Sequence, residues 1–132
     1  MGAPIRSHRD LLVWQRGIAL ADALDGLADT FPKSERFKLS DQLSRAGRSV
    51  PTNIAEGHGR YTDGELYRYL GFSSGSLSEI DTHLELARRR GYIHEPRLGE
   101  LLTDVGELGK MIRAFRNSLQ RSPIDRSRPP DK

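Results

Sequence analysis

The sequence predicts an all-α fold, an antiparallel up-down-up-down four-helix bundle whose second helix is kinked at Pro51. Three observations predict it. Four segments carry apolar residues spaced alternately three and four apart, capping and stop signals separate them at short intervals, and no segment has the alternating period of a strand. At 132 residues the chain has room for one core. We place the bundle over residues 1–121 and read 122–132, SPIDRSRPPDK, as a disordered tail.

The first helix is expected to start at Ser7, where Ser7 and Asp10 have capping-box spacing, and to end at Pro32. Its apolar stripe is read as Leu11, Trp14, Ile18, Ala21, Leu24, Ala28 and Phe31. In the second, Ser34 is read as the cap and Leu39, Leu43, Ala46, Val50 and Ile54 as the stripe, with Gly57 and Gly59 as stop signals. Pro51 interrupts that run. A proline removes one backbone donor and crowds the carbonyl four residues back, at a cost of about 3 kcal/mol in a helix interior. That carbonyl belongs to Gly47, whose missing side chain eases a bend, so one bent helix is expected rather than two.

Thr62 and Glu65 form the next capping box. Behind them Leu66, Leu70, Ser73, Leu77, Ile80, Leu84 and Ala87 keep heptad spacing up to Gly91. Pro96 suits the first position of a fourth helix with the stripe Leu98, Leu101, Val105, Leu108, Ile112, Phe115 and Leu119.

Composition narrows the function. With no cysteine, disulfides, thiolate metal sites and cysteine nucleophiles are ruled out. The start MGAPIRSHRD has no apolar signal core, and nowhere does an apolar run approach the ~18 residues of a membrane span, so a cytoplasmic protein with no membrane role is expected. Seventeen arginines stand against four lysines, and guanidinium is the better fork for phosphate.

At Val50 to Arg60, VPTNIAEGHGR, with FPKSERFKLSDQLSRAGRS before it, GSLSEIDTHLELA after it and LLVWQRGIAL near the start, the chain resembles the bacterial four-helix-bundle family encoded in intervening sequences of 23S ribosomal RNA genes. The resemblance runs over roughly Asp10 to Leu119. It implies a bundle that assembles as a homopentamer. It also implies kinship with the accessory protein of diversity-generating retroelements, which binds a reverse transcriptase and nucleic acid. The partners it implies are therefore further copies of the chain, RNA or DNA, and such an enzyme.

The chemistry-bearing residues are few. Carboxylate-bridged metal bundles need an acid three residues before a histidine, and none of His8, His58, His83 or His94 has one; no metal or cofactor is expected. Glu79 and His83 share a helix face at i and i+4, and we read them as a structural hydrogen bond. Asn53, Glu56 and Arg60 lie near the end of the second helix with Pro51 and Gly57. The plain reading is that Asn53 and Glu56 satisfy backbone groups freed by Pro51, and the functional one is a polar contact site for a partner or subunit. GFSSGS at 71–76 lacks the strand and lysine of a phosphate loop and is read as small residues for close helix approach. No nucleophile, metal cluster or cofactor loop is present, so a non-enzyme is expected.

Antiparallel folding would bring residues 1–20, 45–75 and 109–121 to one end, where eleven Arg and Lys face four Asp and Glu, while the rest of the bundle is net acidic. Asp22, Asp25 and Asp29 are expected to pair with Lys33, Arg36 and Lys38, or else the separation serves binding. The expected function is a homo-oligomer that binds nucleic acid, RNA above all, or a nucleic-acid enzyme through Arg45, Arg48, Arg60, Arg113 and Arg116. The competing expectation is an oligomeric protein-binding scaffold with solvated charges.

Overall fold

The computed structural model describes residues 4–121, with side chains through 120; the expected tail at 122–132 lies outside the described residues. Four helices form: α1, Leu12–Ala28; α2, Leu39–His58; α3, Asp63–Arg89; and α4, Arg97–Arg121. α1 packs on α2, α2 on α3, α3 on α4, and α4 back on α1, with the thinnest seam at that last pair. Gly17 meets Pro51 while Gly47 meets Leu24, so α1 and α2 run in opposite directions. Ser49 meets Ser76 and Gly57 meets Tyr69, which reverses α3 against α2. Tyr67 meets Arg116 and Leu77 meets Gly109, which reverses α4 against α3.

The stripes of α2 and α3 are buried at every position read from the sequence, as is that of α4 from Leu98 to Ile112. Phe115 and Leu119 pack on the core half-covered. α1 corrects the sequence reading. Its inward face is Val13, Gly17, Leu20, Ala21, Leu24 and Ala28, while Trp14 is half-buried and Ile18 is 44% exposed. Gly17 on that face sits against Pro51, where a Cβ would stand at ordinary contact, 3.4 Å from the Pro51 Cβ.

Helix starts differ in detail. The Ser7–Asp10 capping box forms, but it closes a short 3-10 turn at His8–Asp10, and α1 starts only at Leu12. Ser34 sits inside a second such turn, Lys33–Glu35, and does not cap α2. Pro96 precedes α4 instead of opening it, and the Glu95 carboxylate accepts the Gly99 N–H at 3.1 Å to cap that end. Thr62 accepts the Glu65 N–H at 3.2 Å as read. Arg90 closes α3 and Gly91 follows at φ 77°, with Tyr92 N–H bonded to the Ala87 carbonyl at 2.9 Å, a left-handed stop that suits glycine.

α2 runs as one helix through the buried Pro51. The Ser73 hydroxyl, fully buried, donates to the Val50 carbonyl at 2.8 Å, and the Ser49 hydroxyl donates to that of Ser76. The GFSSGS run thus sets serines into the α2–α3 seam. Small side chains let the helices close, and each hydroxyl meets an oxygen there, so burial leaves no unpaired donor.

The end carrying the α1–α2 connection is pinned by an ion pair between a buried carboxylate and an exposed arginine that the sequence did not announce. Glu35 is only 5% exposed; Arg90 donates to its carboxylate at 2.6 Å and the Tyr92 hydroxyl at 3.0 Å. Burial raises this carboxyl's pKa, yet the bonds from Arg90 and Tyr92 and the Arg90 charge outweigh that and hold it below the ordinary value.

Candidate nucleic-acid interface

The five arginines expected to contact phosphate are not gathered at one pole. Arg45 pairs through Nε with Asp41 at 3.0 Å, and Arg48 through Nε with Asp25 at 3.0 Å. Both carboxylates, and Glu107 opposite Arg16 at 3.7 Å, had been assigned to the acidic end. The division fails because these pairs sit where the two halves of the bundle meet, so opposite charges lie within reach along one helix or across one seam. The Lys33–Arg36–Lys38 pairing fails too: among the described residues only Asp25 of the three aspartates forms an ion pair, and its partner is Arg48.

Three of the five belong to the region around the α2–α3 turn and the α3–α4 seam. Arg60 donates to Glu56 at 3.1 Å and to the Tyr69 hydroxyl at 2.8 Å, and the Glu56 bond raises its pKa further. Arg116 donates through Nε to the Tyr67 carbonyl at 3.1 Å with its guanidinium 4.0 Å from the Tyr67 ring centre. A Cβ on Gly71 would stand 2.9 Å from Arg116 Nη2, so the glycine clears its path. Arg116 is part of the α3–α4 fabric. Arg113 is exposed beside Lys110, Ser74 and Ser78 in a separate groove. Next to Arg60, Arg68 lies over the Tyr69 and Phe72 rings, making a layered arginine–aromatic face.

Near Pro51 the Asn53 amide donates to the Ser49 carbonyl at 2.9 Å, not to that of Gly47, and Glu56 satisfies no freed backbone group but pairs with Arg60, four residues on, in the order that favours a salt bridge. Glu79 and His83 line one shallow groove with Ser49 and Ser76, but the expected hydrogen bond is absent and His83 Nδ1 has no partner. Burial pushes the His83 pKa down and the Glu79 charge only partly offsets it.

Arg45 and Arg48 do share a site. They line a groove of 640 Å³ between the end of α1 and the start of α2, with Lys33, Arg36, Ser40 and Ser44, against the apolar wall of Ala28, Phe31 and Pro32. Asp29 and Asp41 also border it, leaving cations in excess. Both arginine side chains are mostly exposed, 79% and 70%, and each is gripped at Nε alone. A carboxylate on Nε orients the planar fork and leaves the four terminal N–H groups to meet an anion.

Sequence reasoning missed Lys33, Arg36, Ser40 and Ser44. The signal was there for two of them: Ser40 and Ser44 stand at four-residue spacing ahead of Arg48, a polar stripe beside the apolar one on α2.

Residues 9–114 match the family model of the 23S rRNA-intervening sequence protein. The chain belongs to that family. A solved structure from Bacteroides thetaiotaomicron, described as a protein with unknown function from the S23 ribosomal protein family, superposes with a TM-score of 0.74 at 22% identity, covering 80% of this chain and 98% of that one. It shares the fold. No curated protein matches the chain. Among the described residues no three His, Asp or Glu side chains gather in a way that would hold a metal ion, and no helix is long and apolar enough to cross a membrane.

Proposed function

We propose that this member of the family is a non-enzymatic, cytoplasmic homo-oligomer, five-membered as the family resemblance implies, that binds nucleic acid through the α1–α2 groove and not through a basic pole. The observation that carries this is the orientation of Arg45 and Arg48: both flank one groove with their terminal guanidinium nitrogens unclaimed. The Arg45–Asp41 pair is no obstacle, since solvent-exposed pairs are worth about 0–1 kcal/mol, and the pair that the half-buried Asp25 makes with Arg48 engages Nε alone and can stay in place beside a phosphate. Phosphate contacts position a strand without reading it, so binding on this account is indifferent to sequence. Repetition of the groove around an oligomer would multiply the contacts.

The test is a salt titration of RNA binding by fluorescence anisotropy. Each phosphate contact contributes about 0.7 to 0.9 to the log–log salt slope, so Arg45→Glu with Arg48→Glu lowers both affinity and slope. Absence of binding by the unaltered protein at low salt, or an unchanged slope in the double variant, removes this reading.

A second reading, a protein-binding scaffold, is favoured by the Arg60, Arg68, Tyr69 and Phe72 face, because Arg and aromatic residues dominate the energetic centres of protein interfaces. It predicts that Arg68→Glu abolishes capture of a reverse transcriptase or other protein partner without affecting RNA.

A further inference from the structure

We infer that the α1–α2 groove takes single-stranded nucleic acid in preference to duplex, with Phe37 as the platform on which a base stacks. This deepens the nucleic-acid reading and rests on it. Phe37 is 84% exposed, the most exposed of the large apolar side chains described. It is not loose in the chain. Two residues earlier Glu35 is buried and held by Arg90 and Tyr92, and the Lys38 N–H bonds back to the Glu35 carbonyl at 2.9 Å. The backbone is thus fixed on both sides of a ring that points at solvent, and a ring fixed in advance loses little freedom when a ligand covers it.

The surroundings match a single strand. Arg36 lines the groove, and its guanidinium carbon lies 5.3 Å from the centre of the Phe37 ring. Groove and ring are therefore one guanidinium apart: phosphates can lie on Lys33, Arg36, Arg45 and Arg48 while the attached base covers the open side of Phe37. Ser40 and Ser44 add hydroxyl donors between the cations. A duplex offers the same phosphates but keeps its bases stacked on each other, so it gains nothing from the ring. Stacking of a base on an aromatic side chain is worth about 1–3 kcal/mol and is tolerant of sequence, whereas the phosphate contribution is common to both forms.

The experiment measures binding of the full chain to a short oligoadenylate and to an RNA duplex of equal length, at several salt concentrations. Phe37→Ala is expected to weaken oligoadenylate binding roughly 5- to 150-fold, leave the duplex unchanged and leave the salt slope unchanged; Phe37→Trp retains full affinity. Because the ring is exposed, these variants should melt with the unaltered protein. An equal loss on single strand and duplex, or no loss on either, overturns the platform. So does a change of oligomeric state in Phe37→Ala, which would make the ring a subunit contact. If charge reversal at Arg45 and Arg48 abolishes binding while Phe37→Ala is silent, the groove stands and the platform falls. If the unaltered protein binds no RNA, both fall.

Discussion

A Cβ placed on Gly57 of α2 would stand 2.6 Å from the Cβ of Tyr69 on α3. Real side chains do not approach so closely, and Leu66 crowds the same point from 3.3 Å. Gly57 is thus not the stop signal that the sequence suggests, since α2 runs on to His58 with Gly59 as its cap; it is the position where α2 and α3 touch backbone to side chain. Gly57→Ala must push the helices apart, against a core at Ile54, Leu66 and Leu70 that has no slack. We expect a loss of about 1–3 kcal/mol in urea denaturation. Gly64→Ala, where a Cβ meets nothing within 4 Å, is expected to be neutral or slightly stabilising and serves as the control.

Ser73 is the second packing prediction. Its hydroxyl is fully buried and donates to the Val50 carbonyl, one residue before Pro51. Ser73→Ala removes the donor but leaves that carbonyl within its helix, so the cost is one hydrogen bond, about 1 kcal/mol. Ser73→Val adds volume where none is free and costs more, about 1–3 kcal/mol. The order of the two variants in a denaturant series checks the assignment.

Much of the bundle was legible because apolar spacing survives every detail of side-chain chemistry. The α2, α3 and α4 stripes needed only their period. α1 was misread at Ile18, which is 44% exposed, while Trp14 packs half-covered on the core; the inward face also takes in Val13, Gly17 and Leu20, because the helix is rotated slightly from the stripe that the large side chains suggest. The charge map failed for another reason. Arg48 and Asp25 lie 23 residues apart, and Glu35 and Arg90 lie 55 apart; such partners depend on helix register, which period alone does not fix. The candidate site was half visible: Arg45 and Arg48 were chosen, but Lys33, Arg36 and Phe37 lie in a connection with no periodicity to mark them.

The Glu35 carboxyl shapes the acid side of the stability curve together with Glu85, whose bonds from Arg88 and Arg89 hold its pKa down at about 2. The folded pKa of Glu35 lies below the ordinary 4.5, so it contributes stability above the unfolded value, and that contribution disappears as pH falls through the folded value. Thermal melting at a series of pH values should show a drop below pH 4.5 that Glu35→Gln makes shallower, with Tyr92→Phe between the two. The variant should also loosen the connection carrying Phe37.

His83 acts in a higher window and with the same sign. Burial lowers its pKa below 6.5, so the folded state resists the proton that the unfolded chain accepts, and stability falls as pH drops below 6.5. Glu79 on its own helix limits the shift. His83→Gln is expected to remove the decline between neutral pH and the Glu35 window. An unchanged melting curve in that interval would place the imidazole in water.

Arg116 separates fabric from interface. It was expected to touch phosphate, yet its Nε is given to the Tyr67 carbonyl and its face to the Tyr67 ring, over a gap kept open by Gly71. Arg116→Ala removes a charge-assisted hydrogen bond and a stacked pair from a half-buried seam, each worth about 1 kcal/mol or more, so a loss of about 1–3 kcal/mol is expected. Arg116→Lys keeps the charge but neither the fork nor the stack, and should be nearly as unstable. RNA affinity and salt slope should stay close to those of the unaltered protein in both variants. A slope lowered by about 0.7 in Arg116→Ala but restored in Arg116→Lys would show that its charge, and not its packing, is what a strand meets.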